Sequence, residues 1–244
     1  MEKTLIQRAG TRIFSINFDF TSGEQNEILQ YLQANAYRLM GYKGATGTNQ
    51  ITSGVPAWFA IDYSNMFGMV DIDYEPEYKV YVFNKSMIAP NTTIQMQALS
   101  QEIPLGTAVS FHPNGSFSIR GTAPEGVITV RNERPLGTPD LTIGLAARVD
   151  GQFLPFCAFT SNAQGQVSVE PNENIVLFAA QTNMREGTVT SNALAPGCEF
   201  MFSDKNTDYD LQMIQGTYGI TNAPGGAFVD KVSSGQSLRE LLNR

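Results

Sequence analysis

The chain has 244 residues, of which 42% are apolar, 10% aromatic and 16% charged, with 22 Gly and 12 Pro. A disordered chain is poorer in apolar residues and richer in charge, and a collagen-like chain has more Gly and Pro in a visible period, so a globular protein remains. The net charge of −7 comes from 16 Lys and Arg against 23 Asp and Glu. Because nucleic-acid binding relies on clustered basic residues, this balance argues against a nucleic-acid partner.

The sequence contains no segment typical of a secretory signal or a membrane span. The first residues include no apolar stretch of signal-peptide length, and no window approaches the ~20 apolar residues of a transmembrane helix. Two cysteines, Cys157 and Cys198, are too few for a disulfide framework at this length. We therefore expect a soluble, cytoplasmic protein without a transmembrane segment.

A strand and then a helix are predicted near the N-terminus. The strand covers residues 12–20, where four apolar side chains alternate with mostly polar ones: Phe14, Ile16, Phe18 and Phe20. The Thr21-Ser22 pair can cap a helix, and apolar residues then recur at helical spacing as far as Met40. Gly41 is placed to end it, so we predict a helix over about 22–40 that packs on a sheet.

After Gly41, short runs of β-branched and aromatic residues alternate with turn residues. Strands are predicted over 57–61, 78–84, 92–98, 107–111, 116–120, 126–131, 142–149, 152–159, 166–169, 175–181, 187–190, 198–202 and 208–213. Asn114-Gly115 and Asp150-Gly151 predict two tight hairpins between such runs. Ser237 and Glu240, followed by leucines, predict a short C-terminal helix.

One convincing helix is too few for the repeated crossovers of a parallel sheet. The fold class is therefore mainly β: an antiparallel β-sandwich or distorted barrel with one packing helix near the N-terminus and a short C-terminal helix. Turn residues are spread evenly and no stretch resembles a linker, so we predict a single domain over 1–244. The alternative division sets an α/β part, 1–85, against an all-β part, 86–244.

Several catalytic patterns are absent or incomplete. His112 is the one histidine, it lies at the predicted hairpin, and no Gly-x-Ser-x-Gly surrounds any serine, so we interpret it as a turn residue. Three glycines between Gly41 and Gly47 follow the predicted helix, whereas a phosphate loop precedes one, so we interpret them as a helix stop and a bend. Cys157 and Cys198 are flanked by phenylalanines, which is typical of buried, inert thiols.

Two acidic groupings are candidate sites. Asp71, Asp73 and Glu75 alternate with apolar residues and are expected on the solvent face of a strand. Asp204, Asn206 and Asp208 have the alternating oxygen ligands of a calcium loop, although residues 209 and 215 lack the required Gly and Glu. They are the candidate metal ligands, beside the interpretation as a solvated acidic turn.

The densest chemistry is aromatic, with eight aromatic residues between Trp58 and Phe83. Part of this segment is expected in the core, and the rest is a candidate pocket wall or subunit contact. Two polar residues among the rings can orient a ligand. The candidate ligand-binding residues are Trp58, Phe59, Asp62, Tyr63, Asn65, Tyr74, Tyr78 and Tyr81.

These observations favour a non-enzymatic binding protein, a homodimer that holds a small aromatic or apolar ligand or pigment in a β-rich scaffold. The first alternative is a lectin-like or membrane-active module, in which the aromatic residues are exposed. The second is a hydrolase that uses paired carboxylates, which are recognised by their separation in space. Cofactors other than the small aromatic ligand and calcium are not indicated.

Overall fold

The computed structural model describes residues 12–243, which form two packed β-sheets with one helix near the N-terminus and a short one near the C-terminus. The prediction of a mainly β, sandwich-like fold is confirmed. The strands are Phe14–Asp19 (β1), Tyr37–Gly47 (β2), Val55–Pro56 (β3), Phe59–Asp62 (β4), Met69–Phe83 (β5), Ala98–Glu102 (β6), Thr107–Phe111 (β7), Phe117–Thr122 (β8), Ile128–Asn132 (β9), Leu141–Val149 (β10), Gln152–Pro155 (β11), Phe159–Ser161 (β12), Gln166–Gln181 (β13), Val189–Thr190 (β14), Gly197–Met201 (β15), Asp208–Met213 (β16), Ile220–Asn222 (β17) and Asp230–Val232 (β18). The helices are Gly23–Ala34 (α1), a 3₁₀ turn at Tyr63–Asn65, and Leu238–Leu242 (α2).

Each of the two large sheets has eight strands. The first sheet runs β11-β10-β5-β1-β16-β17, with β12 also paired to β10 and β6 to β5. The second sheet runs β18-β15-β13-β9-β7-β8, with β2 paired to β13 and β4 to β2. Within residues 12–243, the parallel pairs are β1 with β16 and β7 with β9, and the other strand pairs are antiparallel.

Alternation of side chains determines which face of the first sheet is buried. On β1, Phe14, Ile16 and Phe18 point into the core while the residues between them point outward. On β5, Asp71 and Asp73 are exposed beside buried Ile72 and Tyr74, as the sequence predicts. The outer face of this sheet is therefore acidic and its inner face aromatic.

The predicted helix over 22–40 is wrong in its C-terminal third, because α1 ends at Ala34 and residues 37–47 form β2. Ser22 caps α1 by accepting a hydrogen bond from the Gln25 N–H, as expected. The chain then reverses at Ala36, whose φ of 52° is left-handed. Extensive antiparallel pairing of β2 with β13 overrides the helical spacing of the apolar residues in this stretch.

The glycines of β2 make close packing possible, so their interpretation as a helix stop and a bend is also wrong. A Cβ on Gly41 would lie 2.3 Å from the ring of Phe59, and one on Gly47 would lie 2.2 Å from the carbonyl oxygen of Ser168. Gly44 faces Asn172, whose Oδ1 would lie 2.0 Å from an added Cβ. Glycine is therefore required by neighbours that approach the strand.

The strand β13 joins the two separately predicted strands 166–169 and 175–181. Its pairing with β2 jumps from Pro171 opposite Ala45 to Ile175 opposite Lys43, so residues 172–174 form a bulge. Similarly, the predicted strand 152–159 is divided into β11 and β12. The stretch predicted as a strand over 92–98 is irregular as far as Gln97, and β6 follows it.

The main hydrophobic core lies between the two sheets, and a second core lies under α2. The short C-terminal helix is confirmed, with Ser237 as its cap and Leu238, Leu241 and Leu242 buried. Both predicted hairpins are also confirmed, between β7 and β8 and between β10 and β11. Among residues 12–243, the helices are too short and too polar to cross a membrane.

Candidate functional site

Most of the candidate ligand-binding residues lie in the core. The side chains of six of them are at most 3% exposed: Trp58, Phe59, Tyr63, Tyr74, Tyr78 and Tyr81. The Trp58 indole N–H donates to the carbonyl of Ala147, and its ring meets the Tyr74 ring edge-on at 5.0 Å. Their assignment to a ligand site stays a prediction, and it requires the core around Trp58 to open.

The two polar candidates lie nearer the surface than these rings. The Asp62 carboxylate is held by Arg38, with Nε 2.6 Å from Oδ1 and NH2 3.3 Å from Oδ2. The same guanidinium donates to the carbonyl of Met184. This forked ion pair holds β4 against β2. Asn65 ends the 3₁₀ turn and is exposed.

A buried polar cluster joins the sheets next to Trp58, at Lys43, Tyr74, Tyr78 and Glu173. The Lys43 side chain is 0% exposed and its Nζ lies 2.8 Å from the Oε2 of Glu173, on the β13 bulge. The Tyr74 and Tyr78 hydroxyls each lie 3.1 Å from the Oε1 of Glu173 and 2.9 Å from each other. Two phenolic protons are therefore shared among three contacts: one from each hydroxyl to Glu173, and one between the two hydroxyls.

Burial changes the ionisation of this cluster. It lowers the pKa of Lys43, and the adjacent Glu173 carboxylate opposes that shift only in part. Burial also raises the pKa values of Tyr74 and Tyr78 well above their usual value, with Glu173 adding to the effect. The tyrosines therefore remain protonated donors, and the lysine is shifted toward its nucleophilic neutral form.

The three candidate calcium ligands are exposed: Asp204 and Asn206 lie on the turn before β16, and Asp208 is the first residue of that strand. The Asp204 carboxylate is paired with Arg12, and Asp208 accepts from the Thr207 hydroxyl. In the described part of the chain, no three His, Cys, Asp or Glu side chains form a group suited to a metal ion. Calcium binding by these mixed Asp and Asn ligands stays a prediction.

His112 lies at the β7–β8 hairpin, as predicted, and it bridges two polar side chains there. Its Nε2 lies 2.7 Å from the hydroxyl of Ser118, and its Nδ1 lies 2.9 Å from the carboxylate of Glu133. A hydrogen bond from Ser110 lowers the pKa of Glu133, with a smaller contribution from His112. Because Glu133 lies after β9, the sequence pattern around His112 could not reveal this chain of contacts.

The cysteines Cys157 and Cys198 are free and buried, as predicted. Burial raises the pKa of Cys157 to about 12 and that of Cys198 further still. Lys43 is close enough to oppose this effect slightly at Cys157. Both thiols are therefore protonated and unreactive at neutral pH.

Three tyrosines that the sequence analysis did not select meet at the surface. The rings of Tyr31 and Tyr218 are stacked with their centroids 4.4 Å apart and a 6° interplanar angle. Tyr37 lies 6.2 Å from Tyr31 and 6.0 Å from Tyr218. These residues, the tyrosine surface, come from α1, the start of β2 and the β16–β17 turn, and Tyr31 is 42% exposed.

Unusual backbone conformations bring these rings together. Ala36 and Tyr218 both have positive φ, 52° and 54°. Such a conformation costs about 1–2 kcal/mol for a residue with a Cβ. The Tyr218 N–H donates to the Ile214 carbonyl, and the Ile214 N–H donates to that of Gly219, which closes the turn. Strained positions that are maintained by their surroundings are often found at functional sites.

The turn that carries Tyr218 also lines a mainly apolar pocket of about 340 Å³. This volume is at the lower end of the range for small-molecule sites. Its walls come from β15, the β16–β17 turn and β18, and include Pro196, Ile214, Thr217, Gly219, Ile220 and Val232. The β16–β17 turn therefore carries one ring of the tyrosine surface, and its residues Thr217 and Gly219, on either side of that ring, line a small cavity.

Comparison of the chain with models of known protein families, with curated proteins and with solved structures finds no match.

Proposed function

We propose that the protein is a non-enzymatic binding protein that holds a small ligand with a flat, aromatic or apolar face at the tyrosine surface. The observation that carries this proposal is the parallel stack of Tyr31 and Tyr218, partly exposed and completed by Tyr37. Aromatic side chains that stay exposed supply a large contact area with little loss of conformational entropy. The small apolar pocket that borders the same turn is of a size that suits a small molecule.

An absorbance spectrum of the purified protein first shows whether it carries a bound pigment. The main test is saturation-transfer NMR with phenol, indole and methyl glucoside as probes. We expect indole or phenol to receive magnetisation from the wild type and from Phe228→Ala, the matched control at an exposed aromatic residue. Tyr31→Ala should lose the effect while it retains the circular dichroism of the wild type. Equal binding by Tyr31→Ala and the wild type would contradict the proposal.

The lectin-like alternative uses the same surface, because the exposed face of Tyr31 also suits the apolar face of a sugar ring. It predicts a response to methyl glucoside rather than to indole, and binding to a glycan array that Tyr31→Ala abolishes. A membrane-active module would instead release dye from liposomes.

A second candidate function, hydrolysis by a serine nucleophile, is favoured by the contacts of His112. The contacts run from Ser118 through His112 to Glu133, which is the arrangement of nucleophile, base and orienting carboxylate in a catalytic triad. Catalysis by a serine nucleophile also needs hydrogen-bond donors for the oxyanion and walls that exclude water. Ser118 lies on the exposed edge strand β8, so this function ranks below binding. Labelling of Ser118 by a fluorophosphonate, abolished in Ser118→Ala and His112→Ala, would favour this function over binding.

We also propose a homodimer in which the exposed part of the aromatic segment forms the contact. Phe67 and Met69 flank Gly68 and are 72% and 71% exposed. Sedimentation of the wild type as a dimer and of Phe67→Ser as a monomer would support this contact. Two free, buried thiols suit a reducing compartment, so a cytoplasmic location is part of the same proposal.

A further inference from the structure

The ion pair between the buried Lys43 and the partly buried Glu173 has the components of an amide-forming reaction. Lys43 lies on β2 and Glu173 on the bulge of β13, 130 residues further along the chain. We propose that Lys43 Nζ and the Glu173 carboxyl group condense into an intramolecular amide that cross-links β2 to β13. This proposal concerns a covalent modification, and it is independent of the function proposed for the tyrosine surface.

The surroundings of Lys43 activate it as a nucleophile. Its side chain is completely buried, with Nζ 4.7 Å from the centroid of the Tyr74 ring and 5.7 Å from that of Phe156. Burial lowers the pKa of Lys43, which makes the neutral amine more accessible than in water. The two ring faces and the Asn172 carbonyl, to which Nζ also donates, favour the ammonium and offset part of this effect. A desolvated lysine in an apolar pocket is a recognised form of activated amine nucleophile.

The two tyrosines polarise the carboxyl group. Both hydroxyls lie 3.1 Å from Oε1, the oxygen on which negative charge develops when the amine attacks. The Nζ atom lies beside the other oxygen, Oε2, at 2.8 Å. Oε1 is thus held by the two tyrosine hydroxyls, and Oε2 is next to the Lys43 amine that supplies its protons. Acyl transfer requires this division of roles.

The atoms of the reaction balance without a further reactant. A proton passes from the Lys43 ammonium to Oε2, which gives a neutral amine and a carboxylic acid. Nζ attacks Cδ, and Oε1 carries the developing charge between the two phenolic donors. A second proton passes from nitrogen to Oε2, the Cδ–Oε2 bond breaks, and Oε2 leaves as water. An ammonium and a carboxylate thereby become one neutral amide and one water.

The fold favours this condensation in four ways. Reactive groups held in contact reach effective concentrations of about 10⁵–10⁸ M in well-oriented cases. The neutral amide removes two charges from a site where their desolvation is costly. The Glu173 side chain is 27% exposed, which gives the water a route to solvent. The bulge is fixed by Asn172 and Asn174, whose amide groups both donate to the Leu242 carbonyl.

The deciding experiment is the intact mass of the denatured wild-type chain, followed by tandem mass spectrometry of its peptides. We expect a mass one water below that of the sequence and a branched peptide that joins Lys43 to Glu173. A full mass in protein that has been folded for days, or a water loss located elsewhere, would overturn the proposal. An ion pair does not survive denaturation, so it cannot imitate this result.

Two controls refine the measurement. Lys79 and Glu102 are opposite each other on β5 and β6 near the surface, and their peptides should remain unlinked in the same digest. Lys43→Arg keeps a cation but has a far weaker nucleophile, so it should show its full sequence mass. If Lys43→Arg does not fold, the Tyr74→Phe/Tyr78→Phe variant supplies the second test: it should form the amide more slowly, and an unchanged rate would refute the role of the hydroxyls.

Discussion

Two groups of tyrosines in this protein have opposite environments. Tyr74 and Tyr78 lie between the sheets, where their hydroxyls meet the Glu173 carboxylate. Tyr31 and Tyr218 are stacked at the surface, where Tyr31 is 42% exposed and Tyr218 is partly buried against the core. The first pair holds the partly buried Glu173 side chain in place, and the second provides contact area to solvent.

The comparison shows that local density of aromatic residues does not identify a binding surface. The segment from Trp58 to Phe83 is the densest in aromatic residues, and most of its rings fill the core. The tyrosine surface consists of residues that are distant in sequence and brought together by the turn at Tyr218. Aromatic residues at alternating positions of a strand can all face the core. The rings of the tyrosine surface come instead from a helix, the start of a strand and a turn.

The largest effect is expected from alkaline pH, which separates buried from exposed tyrosines. Burial raises the pKa of seven tyrosines above the usual 10.0, and the effect is largest for five of them: Tyr42, Tyr63, Tyr74, Tyr78 and Tyr81. Above that pH the unfolded chain releases protons that the folded chain retains, so the free energy of unfolding falls by roughly 7 kcal/mol per pH unit. The lowered pKa of Lys43 acts in the opposite direction but involves one proton only.

Because a domain is stable by about 5–15 kcal/mol, we expect cooperative unfolding within one to two pH units above the usual tyrosine pKa. Circular dichroism and phenolate absorbance should change together. Full titration of all nine tyrosines with unchanged circular dichroism would show that the core is open to hydroxide.

Trp58→Ala should have the next largest effect. The side chain is completely buried between Phe59 and Tyr74, and its removal leaves a large cavity. We expect a loss of about 3–5 kcal/mol in the free energy of unfolding, measured by urea denaturation. Phe228→Ala, at an exposed ring, is the control. A stable Trp58→Ala variant that loses a ligand or its dimer contact would instead place Trp58 in a functional surface.

The sequence was sufficient for elements that local patterns determine. The alternation on β1, the Asn114-Gly115 turn and the cap at Ser237 each depend on residues within one short segment. It was insufficient for β2, because the apolar spacing around Leu39 also fits a helix and the pairing with β13 lies more than a hundred residues away. The glycines of β2 indicate close packing, but the sequence alone does not identify the residues that approach them, because those residues are distant along the chain.

The candidate site was harder to predict than the fold for the same reason. Lys43 and Glu173 give no local pattern, since a lysine in a Gly-rich run and a glutamate between asparagines are each typical of an exposed loop. Only the bulge of β13, which turns Glu173 toward Lys43, makes them a pair. Tyr218 follows a Gly-Thr pair in a turn, and its left-handed φ is not encoded by its residue type.

Tyr78→Phe should have an intermediate effect on stability. It removes one of two hydroxyl donors to Glu173 and leaves the ring in place. Hydrogen bonds to charged groups contribute about 1.5–3 kcal/mol and those to neutral groups about 0.5–1.5 kcal/mol. We therefore expect urea denaturation to show a loss in the first range while Glu173 is a carboxylate, and in the second range once it has formed the amide. A loss below about 0.5 kcal/mol would mean that Tyr74 alone satisfies Glu173 and that the Tyr78 hydroxyl does not hold the Lys43–Glu173 pair in place.

Tyr31→Phe is expected to have the smallest effect, and it tests the surface group against the buried one. The hydroxyl of Tyr31 is beside Tyr218 at the surface, where water replaces a lost hydrogen bond. The ring, which carries the stack on Tyr218, is unchanged. We therefore expect a change in Tm below about 2 °C together with retained binding of the aromatic probe. A Tm loss as large as that of Tyr78→Phe would mean that the surface tyrosines hold the turn together through their hydroxyls, and the stack would then be a structural contact rather than a platform for a ligand.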